Sequence, residues 1–277
     1  MKIIDSHVHF SNVSSFKHCA ANESFVDYSY DGYIKECEKN NVVKSVCMGV
    51  FETWDVFPSK DAATPMLADL DERMPPGMYL CPGINPHTLN DESIAALDRL
   101  VKESKNVVGA KIFAGYYHFD PYSDVYEPVL RIAEKHGITI AVHTGDTYSN
   151  KGLLEYSHPL KIDRLAVTHP DLKIVICHMG VPWVFDACEV AYKNSNVYID
   201  LSGILCGDKE FEDIDGQIAR YVQAIKYLNN YKKLMYGTDW PLTSMEAYIN
   251  FCRKLVPEEQ YEDVFYKNAV EVYGLDK

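Results

Sequence analysis

No apolar run in this sequence approaches the ~20 residues that a membrane-spanning helix needs, which excludes a protein built on such helices. Positive charge is scarce as well. With 27 Lys and Arg against 40 Asp and Glu, the formal charge is −13, which argues against a nucleic-acid partner and disfavours an anionic membrane surface. The eight cysteines (Cys19, Cys37, Cys47, Cys81, Cys177, Cys188, Cys206, Cys252) include no Cys-x-x-Cys pair and are scattered through apolar segments. They are expected to be reduced, mostly buried thiols of a cytoplasmic protein, and their spacing gives little support to a zinc–thiolate site or a catalytic cysteine. The opening Met1-Lys2-Ile3-Ile4-Asp5 reads as too short and too soon charged for a secretory signal. Low-complexity tracts and linker-like gaps are missing too, so residues 1–277 are expected to form a single domain. What is present is core material: 47% hydrophobic residues and 20 tyrosines, which argues against disorder.

The apolar segments recur in a regular order. Eight short runs read as strands, at 3–10, 42–50, 78–86, 107–113, 138–143, 172–178, 197–202 and 233–239. Pro82 falls inside the third and removes a ladder donor there. Helices are expected between them over about 31–40, 64–74 (after a loop), 90–101, 125–136, 160–168, 184–193 and 211–228, with two more over 244–255 and 258–273. Asn90-Asp91-Glu92 puts acidic groups at a helix start, where the dipole favours them. Gly137 suits a left-handed helix cap. Residues 11–30, rich in Ser, Asn and aromatics, are expected to be an irregular loop. Continuous apolar strands alternating with amphipathic helices imply a parallel sheet covered on its outer face. Eight such units in about 250 residues make a single (β/α)8 TIM barrel of the α/β class the expected fold. An open doubly wound sheet is the competing architecture, but no Gly-x-Gly-x-x-Gly turn follows any strand.

In such a barrel, reactive groups sit at the C-terminal ends of the strands. Those ends carry His7 and His9, Lys111, His143, His178 and Asp239. Residues two apart on a strand share a face, so His7 and His9 project together. By the same parity Thr139, Ala141 and His143 share one face of their strand, as do Ile174, Ile176 and His178, and Met235, Gly237 and Asp239. One histidine at a strand end is usually a satisfied core or surface residue. Four of them with an aspartate would bury several ionisable groups at considerable cost unless a cation compensates them. A metal site is therefore expected. Imidazoles with one carboxylate suit Zn2+, with Mn2+, Fe2+ and Ni2+ as alternatives.

The segments Asp5-Ser6-His7-Val8-His9, Val142-His143, Ile176-Cys177-His178-Met179-Gly180 and Tyr236-Gly237-Thr238-Asp239-Trp240-Pro241 together resemble those of the amidohydrolase superfamily. They are most similar to its amidohydrolase-related (amidohydrolase 2) branch, which contains hydrolases, lactonases and non-oxidative decarboxylases. Lys267-Asn268-Ala269 followed by Tyr273-Gly274-Leu275 also resembles that branch's C-terminal helix. The resemblance runs the length of the chain and implies a barrel of the metallo-dependent hydrolase type, but it names no substrate. It implies that His7, His9, His143 and Asp239 hold one divalent metal and leave a position open for water. It further implies that Asp239 accepts a proton from that water, and that His178 transfers a proton or stabilises an oxyanion. The chemistry is consistent, since a metal can lower the pKa of water to roughly 7 and imidazole suits proton transfer near neutrality. Lys111 sits where binuclear members of the superfamily carry a carbamylated lysine bridging two metals. In the branch itself a lysine there commonly accompanies one metal, and could pair with a substrate carboxylate or with Asp200. One metal is the expectation and the bridged pair the alternative.

His87, in Asn85-Pro86-His87, is a candidate substrate-binding group beside Lys111, and His118 is a further candidate to line the pocket. Phe16, Phe25, Tyr28 and Tyr30 are candidates for a lid over a planar or apolar substrate. Cys177, adjacent to His178, is expected to face away from the site, and Trp240-Pro241 to fix the loop carrying Asp239. The expected function is metal-dependent hydrolysis of an amide, lactone or related bond in a small molecule. The alternative is non-oxidative decarboxylation of a small aromatic or enol acid, with His178 protonating carbon; the lack of an arginine at any strand end weakens it. A barrel that binds metal without catalysis is the third reading. Barrels of this kind often pair as homodimers, although no feature of the sequence specifies one.

Overall fold

The computed structural model describes residues 1–52, 58–207 and 214–275. Strands form where the apolar runs lie: β1 (Ile3–Val8), β2 (Val42–Met48), β3 (Met78–Cys81), β4 (Gly83–Ile84), β5 (Gly109–Ile112), β6 (Thr139–Val142), β7 (Ile174–Ile176), β8 (Val197–Asp200) and β9 (Leu234–Met235). β1, β2 and β3 pair in that order, as do β4 through β9, and every pairing is parallel. All of β1, β5, β6 and β7 is buried, as strands covered on both faces must be.

Pro82 separates β3 from β4 because it has no N–H to give. The ladder to β5 spans the break nonetheless: Val108 N donates to the Leu80 carbonyl at 3.0 Å, and Lys111 N to that of Pro82 at 2.8 Å. At the other edge, the residues following β9 lie along β1. Ser6 N donates to Tyr236 O at 3.0 Å, Asp239 N to His7 O at 2.8 Å, and His9 N to Trp240 O at 2.7 Å. These bonds join the last segment to the first and close the ring. The outcome is the α/β barrel expected from the sequence, with its third position shared by β3 and β4.

Helices pack outside the ring. Asn90 and Ser93 form a reciprocal capping box at the start of Asp91–Glu103, and Gly137 caps Glu127–His136 with φ 65°. In the closing helix Asn268–Tyr273, the Asn268 amide donates to the carbonyls of Tyr231 (2.8 Å) and Leu234 (2.7 Å), pinning it beneath β9. No helix among the described residues is long and apolar enough to cross a membrane.

Two expectations fail. Residues 11–30 are not wholly irregular, since Ser14–Asn22 is a helix burying Phe16, Cys19 and Ala20. Its apolar positions at three- and four-residue spacing are hidden among polar neighbours. The helix expected within 64–74 is missing because its backbone groups are used elsewhere. Met66 exchanges both hydrogen bonds with Gly83, and Asp69 N and Leu70 N donate to the Phe10 carbonyl. The helix expected over 211–228 is seen as Ile214–Leu228, while 211–213 lie outside the described residues.

A buried clasp reinforces the closure. The Asp5 carboxylate accepts from Thr238 N (2.9 Å), Thr238 Oγ1 (2.7 Å) and His7 N (3.2 Å). Burial pushes the Asp5 carboxyl up to about 7, against the pull of these hydrogen bonds. Thr238→Val removes one donor and leaves a buried carboxyl oxygen unmatched. We expect it to lower the unfolding free energy by about 1–3 kcal/mol. Losing that donor raises the folded-state pKa further, so the penalty grows as pH rises and is larger at about pH 8 than at about pH 5.5. Urea unfolding at the two pH values checks both the size and the direction.

Candidate metal centre

β1 ends at Val8, with His7 just before that end and His9 just beyond it, and the Nδ1 atoms of both histidines are committed. His7 Nδ1 lies 3.0 Å from Asp200 Oδ2, and His9 Nδ1 lies 3.0 Å from the Met48 carbonyl. Both partners accept, so each Nδ1 carries the hydrogen and each Nε2 is left with a lone pair. Those two nitrogens converge on Asp239 Oδ1, at 3.5 Å from His7 and 3.1 Å from His9. All three atoms lie within 4.8 Å of one another. Among the described residues, neither His7 Nε2 nor Asp239 Oδ1 has a hydrogen-bond partner. Burial acts to raise the Asp239 carboxyl, but His7, His178 and His9 outweigh it and hold the group well below the usual carboxylate range. Lone pairs of two imidazoles and a carboxylate facing one point repel unless a proton or a metal cation lies between them. The donor set therefore fits a divalent metal, with each imidazole oriented by a carboxylate or carbonyl behind it.

His143 and His178 stand on the same cavity. The His143 ring is 4.8 Å from that of His178, and its Nε2 donates to the Asp146 carbonyl at 2.8 Å, so Nδ1 is its free acceptor. It lies outside the three-residue group described above. Burial, then His178 and Lys111, push its pKa well below the ordinary imidazole value. His178 reaches the centre by a route that strand parity did not anticipate. β7 stops at Ile176, and His178 (φ 60°) and Met179 (φ 49°) adopt left-handed conformations that swing the chain inward. His178 N donates to Asp200 Oδ1 at 2.9 Å. Its Nδ1 is 2.9 Å from Ser202 Oγ and 3.7 Å from Asp239 Oδ2. Ser202 Oγ itself donates to Asp200 Oδ1, so the His178 hydrogen sits on Nδ1. Burial pushes His178 down to about 3, leaving a neutral ring.

The same turn corrects the expectation for Cys177. Its Sγ does not face away from the site but accepts from Lys111 Nζ at 3.0 Å, just beneath the centre. Lys111, 1% exposed, lines the cavity with His9, Phe16, Phe113, Tyr116 and His143. Its expected alternative pairing with Asp200 gives way to Cys177, and Asp200 instead gathers His7, His178 and Ser202. Asp200 was named from the sequence only as a partner for Lys111. The available signal was a carboxylate ending an otherwise apolar strand. Gly203, also missed, has φ 59°, and a Cβ there would lie 2.6 Å from His178 Nδ1 and 2.7 Å from Asp239 Oδ2. Only glycine fits.

The inner cavity of about 60 Å³ opens into an outer one of about 260 Å³, so the ligand it can take is small. Of the expected lid, Phe16 alone reaches it, tilted over His9 at 4.5 Å. Phe25 is 70% exposed, Tyr28 packs on Trp240, and Tyr30 on Phe10. His87 is not brought to the site: it is exposed and packs against Tyr117 and Phe119, because the turn Pro86–Thr88 carries it outward. His118 stacks on Tyr156 at the surface. Trp240 is fully buried between Tyr28 and Tyr33, and so fixes the segment bearing Asp239 as expected.

Because Asp200 holds the His7 tautomer, Asp200→Asn is expected to weaken divalent-metal binding about 10–100-fold without unfolding the protein. Competition with a chelator of known affinity, alongside circular dichroism, measures both.

A family model described as amidohydrolase matches residues 4–275. No curated protein matches the chain. Among solved structures it is similar to an uncharacterised TIM-barrel protein from Bordetella bronchiseptica, with 16% identity, 99% of each chain covered and a TM-score of 0.73. It is also similar to a probable 2-pyrone-4,6-dicarboxylic acid hydrolase from Acinetobacter baumannii (17% identity, 99% of this chain and 100% of that one, TM-score 0.65). A third is 2,6-dihydroxybenzoate decarboxylase from Rhizobium (14% identity, 100% of both chains, TM-score 0.67). At these identities the likeness establishes the barrel. The family model, matching nearly the whole chain, establishes more: this protein belongs to the amidohydrolase family, whose enzymes depend on metal.

Proposed function

We propose that this protein is a cytoplasmic, metal-dependent hydrolase acting on an amide, lactone or related bond of a small molecule. The observation that carries this reading is the convergence of His7 Nε2, His9 Nε2 and Asp239 Oδ1 at the base of a small cavity beside His178. We assign His7, His9, His143 and Asp239 to one divalent metal, with zinc the ion that suits them. Such a cation supplies an acidified water and a polarised substrate oxygen. Asp239, whose Oδ2 lies 3.7 Å from His178 Nδ1, is placed to take a proton. The His178 Nδ1 hydrogen is committed to Ser202, so Nε2 is the atom that receives a proton and returns it to the leaving group. Lys111 lies within reach of a substrate carboxylate in the cavity, and Phe16, Phe113 and Tyr116 offer it apolar walls.

The second reading, non-oxidative decarboxylation, draws on the same residues. Lys111 among aromatic walls also suits a planar aromatic acid, and one of the similar structures is such a decarboxylase. Among the described residues no arginine lines the cavity, which favours hydrolysis.

Protein dialysed against metal-free buffer is expected to retain about one equivalent of metal, and a strong chelator to abolish turnover until metal is restored. Metal-replete protein is then offered amides, lactones and esters, and separately aromatic acids with carbon dioxide release as the readout. Hydrolysis supports the proposal, carbon dioxide release promotes the second reading, and neither leaves a non-catalytic barrel. In whichever assay responds, His178→Asn is expected to lower kcat about 10²–10⁴-fold at unchanged metal content. Unchanged turnover would remove His178 from the mechanism.

A further inference from the structure

Three groups of metal-ligand-type side chains occur among the described residues; two share His7, and the third lies at the rim of the cavity with no residue in common with them. Cys19 belongs to the helix Ser14–Asn22, Glu23 caps that helix, and Cys206 sits on the segment after β8, 187 residues from Cys19 in sequence. Cys19 Sγ and Cys206 Sγ are 3.8 Å apart, and Cys206 Sγ is 3.5 Å from Glu23 Oε2. One atom from each of the three falls within 4.8 Å of the others. These separations can be compared with a tetrahedral zinc site. With Zn–S about 2.3 Å and Zn–O about 2.0 Å, the tetrahedral edges are about 3.8 Å between sulfurs and about 3.5 Å between sulfur and oxygen. Both observed edges match.

We propose that Cys19, Glu23 and Cys206 form a second metal site, for a thiophilic divalent cation such as Zn2+, with a fourth position open to water. Ligation requires both thiols to release their protons, so uptake of the cation is expected to strengthen as pH rises. The position gives the site a consequence. Ser15 and Phe16 of the same helix line the inner cavity, while Ile204 and Cys206 line the outer one. A cation there clips the helix to the segment after β8 and fixes the width of the mouth.

The test uses the whole protein, dialysed to its tightly held metal and then titrated with Zn2+ and, separately, with Co2+. Wild type is expected to take up a second equivalent and, with Co2+, to develop the near-ultraviolet thiolate-to-cobalt charge-transfer band. The Cys206 side chain is exposed, so Cys206→Ser is expected to fold normally, keep the first equivalent, and lose the second together with the band. Glu23→Gln should retain the band while weakening the second equivalent about tenfold or more. Absence of the band in wild type would overturn the proposal. So would a second equivalent persisting in Cys206→Ser, which would instead belong to the first centre with Lys111. A covalent Cys19–Cys206 disulfide, seen by mass spectrometry in protein loaded with excess zinc, would also overturn it.

Discussion

Asp239 meets the histidines of β1 only because the segment after β9 is hydrogen-bonded along β1 in one register. Asp239 N donates to the His7 carbonyl, and His9 N to that of Trp240, so carboxylate and imidazoles are brought to one level of the ring. A slip of one residue would turn the whole segment's side chains to the other face. The Asp5–Thr238 clasp lies directly below and resists that slip, while the buried Trp240 ring blocks it from above. Asp239 itself has φ 64°, a conformation costly for a side chain larger than hydrogen. The closure over-determines it, so the strain is tolerated where the chemistry needs the carboxylate.

A second constraint radiates from Asp200. One buried carboxylate, held well below its usual range by His7 and His178 against the effect of burial, accepts from His7 Nδ1, His178 N, Ser202 N and Ser202 Oγ. It therefore fixes a proposed metal ligand and the neighbouring proton-transfer group at once. The two functions are coupled through one side chain, which makes their relative position rigid. At the rim the arrangement is looser. Cys19 and Glu23, from one helix and its cap, meet Cys206 of the segment after β8 with no such hub, so a cation bridging them would tie the two segments together.

The barrel was legible because its strands are apolar runs buried on both faces, and their number and spacing leave few ways to pack. His7, His9, Lys111, His143, His178 and Asp239 were legible because each follows such a run, where a buried ionisable group needs a reason. The failures are equally specific. Met66 gives its backbone to Gly83, a pairing no local pattern announces, so the helix expected over 64–74 does not form. Parity assumed that β7 ran straight to His178; instead the strand stops at Ile176, His178 and Met179 are left-handed, and Cys177 turns toward Lys111. His87 also follows a strand, but a tight turn takes it to the surface.

The sequence by itself determined the order of strands and helices, the closed parallel ring they imply, and most of the ionisable groups at its mouth. Periodicity and burial are local properties, and a chain carries them wherever it goes. Only the tertiary structure decided which groups meet. It joined Asp200 to His7 across 193 residues and Cys19 to Cys206 across 187, and it separated His87 from the site despite a promising position. Those outcomes depend on strand register and on a few backbone conformations with positive φ, neither of which the spacing of residues along the chain encodes.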